Sequence, residues 1–224
     1  MTFARDNDRC GHQAQTQTRE EEALNSGLHG LAALGAFAAG RHLLEGLTGP
    51  AVQTLSVATY ITTLVLLLST SAIYHALPIG RRKDLFQMLD RAAIYLLLAG
   101  TYTPIGLLME KGRLGTDLCG IEWVLAGVGV ASALLGRRRF LALSAWLYQV
   151  MGWLTALGMR QLLANAGPTV VWGLALGGIS YIIGVLFLIR DHRPYFHPVS
   201  HLLVVIGATL QFGAISLFLG EAPH

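Results

Sequence analysis

Residues 51–83 read AVQTLSVATYITTLVLLLSTSAIYHALPIGRRK, a long run without Lys, Arg, Asp or Glu that ends abruptly in Arg81, Arg82 and Lys83. A helix needs about 20 largely apolar residues to cross the hydrocarbon core of a bilayer, with a range of roughly 17–25. The charged residues partition the rest of the chain in the same way. Between them lie 23–40, 46–80, 92–109, 118–136, 140–159, 161–189 and 194–220, and only the fourth is interrupted, by Glu122. A chain in lipid must satisfy its own backbone, so stretches of this length are helices; a barrel would show short alternating segments. The reading is an all-α, polytopic bundle of seven transmembrane helices near 24–41, 52–77, 88–108, 119–136, 140–160, 169–189 and 197–219. Pro50, Pro78, Pro168, Pro194 and Pro198 fall at the edges of these segments, where proline is tolerated. Pro104 falls inside the third and predicts a kink whose freed carbonyl is bonded by Thr101 or Thr103.

Composition agrees. Of 224 residues, 53% are hydrophobic and 13% charged, and the mean hydropathy is +0.52; soluble domains are nearer a quarter charged. The net charge of +3 sits in short clusters between apolar runs, which is how membrane loops look, and this argues against nucleic acid as a partner. Cys10 and Cys119 form no metal or disulfide framework. The polar N-terminus does not read as a signal peptide. Residues 1–20 are expected to be a flexible cytoplasmic tail and 21–224 the seven-helix domain.

Orientation follows from where the cations lie. Arg81-Arg82-Lys83, Arg137-Arg138-Arg139, and Arg190 with Arg193 follow helices two, four and six, and the tail adds Arg5, Arg9 and Arg19. The other loops hold Arg41, Lys111, Arg113 and Arg160. The alternation predicts a multi-pass protein of the cytoplasmic (inner) membrane, N-terminus inside and C-terminus outside, with membrane lipid as its partner.

Ionisable residues inside spans are costly and are functional candidates by default. Five stand out: His29, His75, Asp90, His197 and His201. His75 lies six residues before Arg81, Asp90 seven after Lys83, and His201 eight after Arg193. At 1.5 Å per residue each is roughly 9–12 Å from its loop, in one layer near the inner leaflet. His197 and His201 are spaced i, i+4, which puts both imidazoles on one helix face, and Ser71 and His75 share that spacing. Three histidines and a water complete an open tetrahedral zinc site, with Asp90 at the right depth to accept a hydrogen bond from that water or to orient a ligand. The alternative is that these histidines only hydrogen-bond between helices. Pro198 favours that alternative, because a residue before proline is disfavoured in the helical region, which makes His197 a candidate N-cap. Spacing and depth leave both readings open. For other residues the bland reading is stronger. Arg91 snorkels or pairs with Asp90, Glu122 sits in the first turn of helix four near the helix dipole, Ser71 bonds its own helix, and Trp123, Trp146, Trp153 and Trp172 belong to the interfacial belt.

Several motifs are familiar together. They are Glu22-x-x-Asn25-x-x-x-His29-Gly30, Ser71-Ala-Ile-Tyr74-His75, Leu89-Asp90 with Ala99-Gly100-Thr101-Tyr102-Thr103-Pro104, Tyr181-Ile-Ile-Gly184, and Pro194-Tyr195-Phe196-His197-x-x-x-His201. In this order they resemble the hemolysin III family of bacterial membrane proteins, related to the progestin and adipoQ receptors. The resemblance runs from about residue 20 to the C-terminus. It implies seven helices, a cytoplasmic N-terminus and a zinc ion held by His75, His197 and His201, with Ser71 and Asp90 as polar partners. Arg91, Ser200, Leu28 and Gln211 depart from the family pattern, which usually has histidine, tryptophan, threonine and histidine there.

Three functions compete. The first is membrane-lipid homeostasis or sensing with a structural zinc. The second is a zinc-dependent intramembrane hydrolase of a lipid amide or ester, with Asp90 assisting proton transfer and Ser71 beside it. The third is the pore-forming or cytolytic activity in the family's name, which would call for a polar stripe through the whole bilayer, whereas the outer halves of helices two, three and seven read as almost entirely apolar.

Overall fold

The computed structural model describes residues 17–110, 112–135 and 147–221, and every element among them is helical. Helix α1 is Arg19–Glu45, α2 is Ala51–Ala76 and α3 is Arg81–Pro104, continued by a π-helical segment, Ile105–Glu110. Helix α4 is Gly112–Leu135. The described part of α5 runs 147–154 and passes through a 3₁₀ turn, Thr155–Gly158, into α6, Met159–Leu188; α7 is Phe196–Glu221. The expected start of helix five, and the cluster Arg137-Arg138-Arg139, lie outside the described residues, as does most of the tail.

Five helices are long and apolar enough to cross a membrane: Ala51–Ala76, Arg81–Glu110, Gly112–Leu135, Leu147–Leu188 and Phe196–Gly220. Helix α1 has the length but not the apolarity, because one of its faces carries Glu21, Asn25 and His29, all buried against the bundle. The run Leu147–Leu188 is 42 residues long. Straight, it would span about 63 Å, twice a hydrocarbon core. It is not straight: Gly167, immediately before Pro168, has φ 75 and ψ 166, a non-helical conformation that breaks the rod.

Four starts lie well ahead of expectation. Helix α1 begins at Arg19 and α6 at Met159; α3 begins at Arg81, so its first turns are basic, and α4 begins at Gly112. Arg113 and Asp117 therefore lie on the helix as an exposed i, i+4 pair 3.5 Å apart. They read as loop because charge was taken to end a span. The correction matters for Glu122, which is not in the first turn of α4 but ten residues into it, and only 1% exposed. Nor does the Thr103 hydroxyl bond the carbonyl that Pro104 frees. It donates to Ala99 O at 2.8 Å, while the chain widens into the π segment directly after the proline.

Successive helices pack at glycines, and α7 closes the arrangement by packing on both α6 and α1. Gly40 lets α1 lie against Ile61, and Gly129 lets α4 lie against the Tyr95 ring; a Cβ at either would overlap its neighbour. The apolar centre includes Val57, Leu68, Met109, Leu162, Val170 and Ile215. Outward faces are apolar too: Leu31, Val124 and Trp172 are 73%, 68% and 65% exposed. Such a surface is at ease in lipid and not in water. Among the buried ionisable residues, Glu21, His29, His75 and Lys83 gather near the start of α1, the end of α2 and the start of α3.

Candidate metal centre

This gathering forms where three helix ends meet: the start of α1, the end of α2 and the start of α7. Helix α1 is begun by a capping box, in which Glu21 N donates to Thr18 Oγ1 at 3.2 Å and Thr18 N donates to Glu21 Oε2 at 2.8 Å. The other Glu21 oxygen accepts from Tyr195 N at 2.6 Å. Tyr195 has φ 61, and that left-handed residue turns the chain into α7. One carboxylate thus caps α1 and fixes the entry of α7. His197 then lies inside the helix, in its first turn, with Pro198 following it. The i, i+4 geometry holds despite the proline, and the His197 and His201 ring centroids are 4.7 Å apart.

His75 enters from the last turn of α2. One ligating atom from each of His75, His197 and His201 can be chosen so that all lie within 4.8 Å of one another, and no other group of His, Cys, Asp or Glu among the described residues does this. His75 Nε2 and His201 Nε2 are 3.1 Å apart. Two ligands of a tetrahedral zinc at 2.0–2.1 Å are separated by about 3.3 Å, so the gap suits a shared ion.

The outward-facing nitrogens are held as a metal would require. His75 Nδ1 lies 2.7 Å from Glu22 Oε2, and since a carboxylate only accepts, the ring donates there and leaves the Nε2 lone pair facing the cluster. His201 Nδ1 lies 2.9 Å from His29 Nε2, which is also 3.3 Å from the His201 carbonyl oxygen. His197 Nδ1 is buried without a hydrogen-bond partner. Two rings locked by neighbours and one orphaned nitrogen form a donor set suited to a borderline metal.

Glu22 is itself fixed. Lys83 Nζ is 3.0 Å from Glu22 Oε1 and donates to Tyr74 O at 3.0 Å and Leu77 O at 3.2 Å, all three of its donors engaged while the residue is 3% exposed. Burial alone would raise the Glu22 carboxyl, but hydrogen bonds and charge from His75 and Lys83 outweigh it and hold the group below the usual carboxylate range. Glu22 stands in the first turn of α1, ahead of that helix's apolar stretch.

Ser71 is one turn before His75 on α2, fully buried, and its hydroxyl makes no regular hydrogen bond. The Asp90 carboxyl of α3 faces that hydroxyl and feels the Arg91 charge. Around the imidazoles themselves the contacting carboxylate is Glu22. Glu22 entered the sequence reading only as the first residue of a motif and Lys83 only as a loop cation, and neither was given a role beside the histidines. The signal that could have found them is their place at the ends of the two helices flanking His75.

A model of the family described as haemolysin-III related matches residues 17–212. The chain belongs to the haemolysin-III family. The hemolysin-3 homolog of Bacillus subtilis (strain 168) is 33% identical over 208 residues, covering 92% of this chain and 98% of that protein. Hemolysin-3 of Bacillus cereus is 33% identical over 205 residues, covering 91% and 94%. The monocyte to macrophage differentiation factor of Homo sapiens is 30% identical over 139 residues, covering 62% of this chain and 57% of its own length. That relative extends the haemolysin-III likeness to the progestin and adipoQ receptor group. The matched region spans all the residues of the histidine cluster.

Proposed function

We propose that this haemolysin-III protein is a seven-helix, zinc-binding protein of the cytoplasmic membrane that serves membrane-lipid homeostasis or sensing. The observation that carries this reading is the histidine trio with its two locked rings, which ties α1, α2 and α7 together at one end. Zinc held by three imidazoles supplies a Lewis acid and a crosslink of high affinity. The count of seven takes α1 as a crossing and counts the two arms either side of Gly167 separately. The basic residues at the start of α3 and after α6, together with the tail, support an orientation with the histidine end inside.

Topology reporters joined after Pro78, Arg139 and Pro194 are expected to read cytoplasmic, and those at Thr48, Arg113, Pro168 and the C-terminus external. A cytoplasmic C-terminus would refute the count of seven.

The lipid role is tested by the lipid profile of a deletion strain, which wild type should restore and a zinc-free His75→Ala variant should not. An unchanged profile on deletion removes the reading. A second reading, zinc-dependent hydrolysis of a lipid amide or ester, draws support from Asp90 and Ser71 facing each other one turn from His75. Asp90→Asn separates the two. Its amide still hydrogen-bonds but accepts no proton, so a hydrolase would keep its zinc and lose about 10²–10⁴-fold in turnover. The sensing reading expects zinc and the lipid profile to stay at wild-type levels. The charge of the neighbouring Arg91 acts on that carboxyl, and this favours the second outcome.

A further inference from the structure

His29 lies on the polar face of α1, 2% exposed, and reaches across to His201 on α7. Its Nε2 meets two atoms of that residue, the ring Nδ1 at 2.9 Å and the backbone carbonyl oxygen at 3.3 Å. Its other nitrogen, Nδ1, is buried without a hydrogen-bond partner. A buried ring with no acid among these contacts is neutral and carries one proton. Where that proton sits decides what His201 can offer.

A chain of contacts from Glu22 to His29 leaves two arrangements. A carboxylate only accepts, so His75 carries its proton on Nδ1 and its Nε2 is a bare lone pair. That lone pair faces His201 Nε2 at 3.1 Å. Two bare nitrogens at this distance repel, so either a proton or an ion lies between them. With a proton there, His201 donates from Nε2 to His75, and its own Nδ1 is bare. His29 then donates from Nε2, with Nδ1 and the carbonyl oxygen of His201 both in reach as acceptors. With an ion there, the His201 proton sits on Nδ1 and His29 Nε2 accepts it. The His29 proton must then sit on Nδ1, the nitrogen without a partner. Each arrangement has one proton on each ring, so exchanging them neither takes up nor releases one.

We propose that His29 is a positioning residue for the histidine centre, selecting the His201 tautomer so that metal loading and a proton shift on both rings occur together. This inference rests on the zinc reading of the trio. His29 touches no ion itself; it acts through His201.

The test is ¹⁵N spectroscopy of the histidine rings in the full chain in detergent, metal-free and zinc-loaded. His29 and His201 are expected to carry their protons on Nε2 before loading and on Nδ1 after it. Zinc affinity, from competition with a chelator, is the second readout. His29→Leu removes the acceptor and should weaken zinc about 10–100-fold. His29→Gln offers an amide oxygen in place of Nε2 and should stay within about threefold of wild type. A purely structural role would instead lower the melting point of both metal-free variants and leave the tautomers unmoved by zinc. Should His29→Leu fail to fold, the wild-type spectra decide alone. Ring protons that keep their positions on loading overturn the proposal, as does a folded His29→Leu chain with wild-type affinity; both leave the zinc reading standing. Wild type that binds no zinc removes that reading and this inference with it.

Discussion

Replacing His75 with Ala is expected to strip the metal from the purified protein: close to one zinc per chain in wild type, and an affinity at least about a thousandfold weaker in the variant. Structural zinc sites bind with roughly 10–16 kcal/mol, and a ligand supplying a third of the protein donors carries several of those. His197→Ala and His201→Ala should behave alike, since each ring contributes one nitrogen to the same cluster. The loss should also appear as a lower thermal midpoint that added zinc does not restore, because an ion that binds only the folded chain stabilises it by mass action. Metal analysis on size-separated protein is the measurement. Full occupancy after all three substitutions would mean that the cluster is a hydrogen-bonded network and nothing more.

Glu22 yields the second large effect, and it divides into two parts. As the acceptor of His75 Nδ1–H, Glu22 sets the tautomer that presents Nε2; removing such a partner costs about 10–100-fold in metal affinity. As the counter-ion of Lys83, it neutralises a nearly buried ammonium; breaking a buried pair on one side costs about 3–5 kcal/mol. Glu22→Leu should therefore lose both affinity and stability. Glu22→Leu with Lys83→Met should recover most of the stability and none of the affinity. If the double variant recovers both, the carboxylate acts only through packing, and its hydrogen bond to the imidazole is incidental.

How far the sequence discloses this can be judged residue by residue. The crossings after α1 were legible because charges stand at their ends and apolarity is a property of composition, which needs no tertiary information. The meeting of His197 and His201 was legible from spacing, and their meeting with His75 from a shared depth. Of their partners, His29 was legible as an ionisable residue inside a span, but Glu22 and Lys83 were not. Glu22 and Lys83 sit where charges are expected anyway, and only the fold reveals that Lys83 has turned inward and lies 3.0 Å from Glu22. Glu122 was misplaced for the opposite reason. Arg113 and Asp117 looked like loop, so the helix seemed to start after them, and a deeply buried acid passed for a dipole-stabilised one. Helix α1 shows the same limit, because its polar face is matched by other helices and a count of apolar residues cannot see that match. The 42-residue run was expected to divide just before Pro168; the one non-helical conformation inside α6 belongs to Gly167, and the residues from Met159 up to it are helical.

The hydrogen bond between His29 and His201 spans 172 positions of the chain, and that between His75 and His201 spans 126. A ribosome adding about 5–20 residues per second leaves His75 waiting roughly 6–25 s for its partner. During that interval α2 is already made, with an imidazole, a carboxylate and an ammonium nearby but no complete donor set. On the proposed zinc reading, the donor set is complete only once α7 has been made, so a chain cut before its final helix would lack two of the three histidines.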